Sequence, residues 1–278
     1  METPVGARKQ TVFESKLIRE EDCDDEYKFA GDEIRNNNGK IIRLFYNNCN
    51  GIEINLLIKS QIQLKVNKVN EKYLGEEQSV AKFDAIMATM KDWKVNMCCL
   101  AGTDTAWEHS TTRKAVNKVL KRRIDRCATS ITSTSSAKSI SNVKPGGTGI
   151  FMDGKWASRI VEKGEDPMKL GRWSFVKVGG RNKKSVIFIT AYRVGIPKIQ
   201  DVGPKTAMAQ QFGILSELGV KNPDPRKQFI KDLKKWIQPL QKENEIVLCI
   251  DANEEWADTS KSIISLIWFN VSLLTRAV

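Results

Sequence analysis

The sequence predicts a layered α/β fold, a sandwich of two sheets with helices outside. Three observations point there. Apolar runs of strand length alternate with stretches whose apolar residues recur at helical spacing, the middle of the chain has antiparallel character, and several strands end in Asn, Tyr or Asp. With 278 residues, 41% of them apolar and 28% charged, the chain can bury a core of that size.

Taken in order, Lys40–Asn47 is β-rich and mostly apolar, a buried strand that stops at Asn48-Cys49-Asn50-Gly51. Val80, Phe83, Ile86, Met87, Met90 and Trp93 recur at helical spacing, and Asn96–Ala101 is a second short buried strand. A helix is expected over Glu108–Arg123, with Val116, Val119 and Leu120 inward. Thr129–Ser141, with nine hydroxyl residues in thirteen, reads as a loop. Thr148–Met152 and Lys155–Val161 flank Asp153-Gly154, a hairpin signal. Trp173–Val178 and Ser185–Tyr192 flank a polar turn over 179–184, so the middle reads as an antiparallel meander. Residues 207–217 look helical. Asp224–Lys242 should be a helix with Phe229, Leu233, Trp236, Ile237 and Leu240 on one face, and Glu245–Ile250 is a last buried strand.

Forty-five Lys and Arg against thirty-three Asp and Glu give a net charge of +12, which favours a polyanionic partner, nucleic acid first and an anionic membrane surface second. The charge is uneven. Residues 1–40 hold seven basic and ten acidic side chains, leaving 38 basic against 23 acidic, a net of +15, in the rest. Residues 1–38 read as a flexible acidic leader and 39–278 as one domain. Six cysteines show no CxxC pair or disulfide-framework spacing, and His109 is the sole histidine, which argues against a zinc site. Met1–Lys16 has no apolar core of a signal peptide, and Ile263–Leu274 is polar-interrupted and too short to span a bilayer. The expected location is intracellular, nucleus or cytoplasm, with no membrane partner.

Three polar clusters sit where apolar strands stop: Asn48-x-Asn50-Gly51, Ala191-Tyr192-Arg193 and Asp251-Ala252-Asn253. On a strand, Asp251 and Asn253 would face the same way. A carboxylate beside a carboxamide can orient an attacking water and hold a phosphate oxygen, and hard oxygen ligands suit Mg²⁺. The same residue types also serve as ordinary turn and cap residues.

In this order the chain resembles the endonuclease/exonuclease/phosphatase superfamily, and in particular the apurinic-type endonuclease domains of non-LTR (LINE-like) retrotransposons. The motifs that carry the resemblance are IRLFYNNCNGI, CCLAGTDTAW, PGGTGIF, FITAYRV and EIVLCIDANE. It implies a four-layered α/β sandwich, with two mixed β-sheets packed face to face and helices outside, that cleaves phosphodiesters in DNA with Mg²⁺ (or Mn²⁺). It further implies that Asn48 helps hold the metal and its ligands and that Tyr192 hydrogen-bonds the scissile phosphate. Asp251 would align or deprotonate water, and Asn253 would steady the pentacovalent phosphate.

Two departures from the family pattern cut against activity. The family's second motif ends in Leu-Gln-Glu, the Glu being the main metal ligand, whereas this chain reads Leu100-Ala101-Gly102. Asp104 could substitute as a metal ligand, through a water, if the strand persisted to it. The family's closing Ser-Asp-His motif is also absent, since the chain ends 25 residues after Asn253, so the domain is expected to be incomplete at its C-terminus with strands missing.

Outside the motifs, the basic face formed by Lys114, Lys118, Lys121 and Arg122, with Arg193 at a strand end, could track a DNA backbone or could be a solvated surface. Pro145-Gly146-Gly147-Thr148-Gly149 fits no phosphate-cradling loop and reads as a turn. The expected function is therefore a Mg²⁺-dependent phosphodiesterase of endonuclease type, of retroelement origin, with impaired or lost catalysis. The alternatives are a non-catalytic nucleic-acid-binding remnant and a phosphoesterase acting on a small or lipid phosphoester.

Overall fold

Three apolar clusters, stacked between four layers, account for most of the buried side chains. The computed structural model describes residues 42–52, 54, 81–139, 141–180, 185–196, 203, 205–254 and 271–275. The acidic leader and the turn over 181–184 lie outside the described residues.

The first sheet has the order β1-β2-β4-β3, from β1 (Leu44–Asn48), β2 (Met97–Ala101), β3 (Thr129–Ser133) and β4 (Thr148–Met152). β1 and β2 run parallel, while β4 is antiparallel to both β2 and β3. The second sheet has the order β5-β6-β7-β8-β9, from β5 (Ile160–Glu165), β6 (Trp173–Gly179), β7 (Ser185–Tyr192), β8 (Glu245–Asp251) and β9 (Val271–Thr275). Its first half is antiparallel, and β7, β8 and β9 run parallel. Both sheets are mixed, as expected.

Alternation along the strands sorts the apolar residues into layers. Met97, Cys99, Ile150, Met152, Val176, Val178, Phe188 and Cys249 fill the space between the sheets. The opposite face of the first sheet, with Cys98, Leu100 and Phe151, is covered by α1 (Ala81–Asp92) and α2 (Ser110–Arg123). These helices contribute Phe83, Met87 and Met90, and Val116, Val119 and Leu120. The outer face of the second sheet, with Phe175, Ile189 and Leu248, is covered by Phe229 and Leu233 of α5 (Pro225–Leu240). Asp224 caps α5 by accepting from the backbone N–H groups of Arg226 and Lys227, and Pro225 at the first position needs no such partner.

Four expectations need correction. Asp153-Gly154 does not turn a hairpin. Asp153 accepts from the Trp156 backbone N–H and caps the short helix α3 (Gly154–Ala157), which carries the chain from the first sheet to the second. The Ser/Thr-rich stretch contains strand β3. Its β-branched threonines suit an extended edge strand that pairs only with β4, and its Ile131 is buried between the sheets. Trp93 does not share the buried face of α1: it lies beyond the helix, 44% exposed and edge-on to Phe45. Finally, β8 is not the last strand. β9, which overlaps the end of the apolar stretch Ile263–Leu274, pairs with it in parallel from Ile246↔Val271 to Ile250↔Thr275.

A buried ion cluster ties the second sheet to its helix. Arg172, fully buried, donates from Nε to Asp166 Oδ2 at 2.6 Å and from Nη2 to Asp166 Oδ1 at 2.9 Å, and its Nη1 reaches Asp232 Oδ2 on α5 at 2.7 Å. Bidentate pairing of this kind is what makes a buried guanidinium tolerable. The Arg172 carbonyl also accepts from the Tyr192 N–H at 2.8 Å, fixing the end of β7. Among the described residues, α4 (Ala207–Glu217) completes the helices, and no helix is long and apolar enough to cross a membrane.

Candidate functional site

β1, β2, β7 and β8 end at the same side of the sandwich. Parallel pairing puts Asn48 opposite Ala101 and Tyr192 opposite Asp251, and a side-chain hydrogen bond closes the gap between the sheets. The Asn48 Nδ2 donates to Asp251 Oδ2 at 2.8 Å. Three of the sequence-derived residues, Asn48, Tyr192 and Asp251, thus meet through strand register, and the fourth arrives by a turn.

That fourth residue is Asn253, and the expectation that it shares a strand face with Asp251 is corrected. β8 ends at Asp251, and Asn253 sits in the left-handed region at φ 47°. From there its backbone N–H donates to Asp251 Oδ1 at 3.3 Å and its Nδ2 donates to Asp251 Oδ2 at 3.1 Å. The same amide nitrogen donates to the Arg193 carbonyl at 2.6 Å. Both Nδ2 hydrogens are therefore engaged, and Asn253 holds the two strand ends together.

Asp251 is 7% exposed, so its charge is poorly hydrated. Burial lifts its carboxyl above the ordinary value, opposed by the two hydrogen bonds from Asn253 and by the nearby Arg226 guanidinium. Tyr192 is pushed up to about 12, first by burial and then by the Asp251 and Asp104 carboxylates. Its phenol stays neutral in ordinary buffers and can donate a hydrogen bond there.

Two glycines seat the Tyr192 ring. A β-carbon on Gly146 would lie 3.3 Å from Tyr192 Cε1, and one on Gly102 would lie 3.6 Å from Cε2. Both glycines have positive φ, 82° and 58°, a conformation other residues adopt only at a cost. The Gly102 position is tighter still toward Asn48, whose Oδ1 lies 2.9 Å from where a β-carbon would be. A side chain at this position in the turn would need the left-handed backbone and a shift of the Asn48 amide.

That turn also decides the place of Asp104. The strand does not persist to it, because Gly102 and Asp104 (φ 48°) both sit in the left-handed region. Asp104 pairs instead with the 145–147 turn, its Oδ1 accepting from the Gly146 N–H at 2.7 Å and its N–H donating to the Gly146 carbonyl at 2.8 Å. Burial raises its carboxyl, opposed by that hydrogen bond and by Lys82.

Arg193 follows Tyr192, is 6% exposed and pairs through Nη1 with Glu254. It belongs to the site. The other basic residues read from the sequence do not: Lys114, Lys118, Lys121 and Arg122 are exposed on α2, without a hydrogen bond or ion pair to Asn48, Tyr192, Asp251 or Asn253 among the described residues.

Two contributors escaped the sequence. Arg226, in the first turn of α5, donates to the Asn253 carbonyl at 2.9 Å and to the Val194 carbonyl, clipping together the loops after β7 and β8. Lys82 on α1 donates to the carbonyls of Cys49 at 3.3 Å and Asn50 at 3.1 Å, holding the turn after β1. Arg226 is one of five basic residues on α5 and Lys82 one of two on α1, and only long-range contact distinguishes them from their neighbours.

A divalent cation of the Mg²⁺ type needs a shell of hard oxygen ligands. Among the described residues no three His, Cys, Asp or Glu side chains come together to hold one. Both Asp251 oxygens face N–H donors, and Gly102 supplies no carboxylate. Among the described residues these strand ends therefore bring no cluster of carboxylates to a Mg²⁺ or Mn²⁺.

No protein-family model matches the sequence, and no curated protein matches it. Among solved structures the chain is similar to ANGEL2, a 2′,3′-cyclic phosphatase, at 12% identity and a TM-score of 0.44, covering 82% of this chain and 60% of that one. It is similar to an AP endonuclease from Archaeoglobus fulgidus at 12% identity and a TM-score of 0.40, covering 77% and 58%. For the human Nocturnin catalytic domain with bound sulfate the values are 11%, 0.39, 65% and 61%. The chain thus aligns with less than two thirds of the length of each.

Proposed function

We propose that this chain is a phosphodiester-recognition domain of the endonuclease/exonuclease/phosphatase type, of retroelement origin, with DNA as its partner and with Mg²⁺-dependent hydrolysis impaired or lost. The observation that carries the reading is the convergence of Asn48, Tyr192, Asp251 and Asn253 at one end of the sandwich, around a carboxylate that accepts three N–H hydrogen bonds and beside Gly102.

The residues divide the work by chemistry. Tyr192, neutral and seated between two glycines, donates a hydrogen bond to a phosphate oxygen. Arg193 and Arg226 supply positive potential at the ends of β7 and β8, which favours a phosphodiester anion there. Asp251 is the carboxylate at the strand ends able to take a proton from water, and Asn48 and Asn253 fix its orientation. The basic face of α2, with Lys114, Lys118, Lys121 and Arg122, offers further contacts to a DNA backbone.

The test is Mg²⁺-dependent nicking of supercoiled plasmid by the folded chain, run beside Asp251→Ala and an EDTA control, together with DNA binding in rising salt. Salt-sensitive binding without nicking above the Asp251→Ala level is expected. Nicking abolished by both controls would overturn the loss of catalysis. Hydrolysis of a small phosphoester by a chain that ignores DNA would overturn the choice of partner.

A further inference from the structure

The helix that covers the second sheet carries more charge than its packing role requires. α5 holds Arg226, Lys227, Lys231, Lys234 and Lys235 against a single acid, Asp232. That acid is turned aside, its Oδ2 taken by Arg172 and its Oδ1 accepting from Gln228 at 2.7 Å. At about 100° per residue the four lysines fall within an arc of roughly 100°, centred opposite the buried Phe229 and Leu233. Lys227, Lys231, Lys234 and Lys235 are all exposed. Lys227 has only a loose pair with Asp224 at 3.6 Å, and no carboxylate of the described residues forms a salt bridge with Lys231 or Lys235.

The row starts at the site. Arg226 precedes Lys227 and is hydrogen-bonded to the Asn253 and Val194 carbonyls, so the first turn of α5 abuts the ends of β7 and β8. From Lys227 to Lys235 the helix rises about 12 Å, some three to four nucleotide steps at about 3.4 Å each.

We propose that the exposed face of α5 is a track for a nucleic-acid backbone that runs on from the Asp251–Asn253 site. The inference rests on the reading of that site as one for DNA phosphodiesters. Charge complementarity selects the partner. The arc carries lysines with Gln238 beside them and no large apolar side chain, which suits an evenly charged polymer. A helix that lies on a lipid surface needs an apolar face for it, and the apolar face of α5 is spent on the core.

The experiment measures anisotropy of a short fluorescein-labelled DNA duplex, in EDTA, across a series of salt concentrations. It compares the whole chain, the double variant Lys231→Glu/Lys235→Glu, and the control Lys155→Glu/Lys163→Glu. The control residues are also exposed, on α3 and on β5 at the opposite edge of the second sheet. Both doubles change net charge equally, so bulk electrostatics cancels in the comparison. The α5 double is expected to weaken binding by about tenfold or more and to lower the slope of log affinity against log salt by about 2, while the control changes affinity by at most about threefold. Equal losses in the two doubles overturn the track and leave the site reading standing. A wild-type chain without salt-dependent binding overturns both.

Discussion

The Asn48 amide reaches across the sandwich to the Asp251 carboxylate, 2.8 Å from Nδ2 to Oδ2, and so joins the end of the first strand of one sheet to the end of the fourth strand of the other. The two residues are 203 positions apart in the chain. Asn253 donates to the same oxygen and to the Arg193 carbonyl, so three strand ends gather around a single carboxylate.

Asn48→Ala removes one donor from a buried carboxylate that retains Asn253. Leaving a buried polar group short of a partner costs about 1–3 kcal/mol. Urea denaturation is expected to show a loss in that range. A double-mutant cycle with Asp251→Ala should return a coupling of about 0.5 kcal/mol or more, and zero coupling would mean the contact contributes nothing to the fold.

The raised carboxyl of Asp251 sets a sign for pH dependence. The native state keeps its proton to higher pH than the unfolded chain, whose carboxyl sits near 3.8. Between that value and the native one, the native state binds more protons, so this group's contribution to stability is lost as pH rises. Asp251→Asn removes the effect and leaves that of Asp104 unchanged. Thermal unfolding of both proteins from roughly pH 4 to 7 should show the Tm difference moving in favour of the variant as pH increases. A constant difference would place the two Asp251 pKa values, native and unfolded, together.

Gly102 offers a test of how firmly the turn after β2 is held. A side chain there must adopt φ near 58° and displace Asn48 Oδ1, 2.9 Å from the β-carbon position. Gly102→Ala is expected to lower stability by about 1–2 kcal/mol from the left-handed backbone alone, read as a shifted urea midpoint. Gly102→Glu should be destabilised likewise and fail to gain Mg²⁺-dependent plasmid nicking. A stable Gly102→Glu variant that nicks plasmid would show that the turn readjusts and that the carboxylate was all the site lacked.

Local pattern was enough for the sandwich itself. The helical spacing of Phe83, Ile86, Met87 and Met90, and of Phe229, Leu233 and Ile237, names the faces that cover the two sheets, because burial demands one apolar stripe per helix. The apolar runs ending at Asn48, Tyr192 and Asp251 likewise marked where strands stop and polar groups gather. The reading failed where a local signal has two tertiary outcomes. Asp153-Gly154 suits a hairpin or a capped helical turn, and the next strand's place in the other sheet selects the cap. Threonines over 129–133 suit a loop or an edge strand, and pairing with β4 selects the strand.

By itself the sequence determined the long helices and most of the strands, the layered fold class and the polar strand ends, since these follow from side-chain periodicity and chain stiffness over a few residues. Tertiary structure alone decided that Asn253 folds back on Asp251, that Asp104 pairs with Gly146, and that Arg226 clips the loops after β7 and β8. Those outcomes depend on hydrogen bonds between loops that packing brings together and on backbone turns at Gly102 and Asn253, and a buried carboxylate takes whichever donors the packed sheets bring within reach.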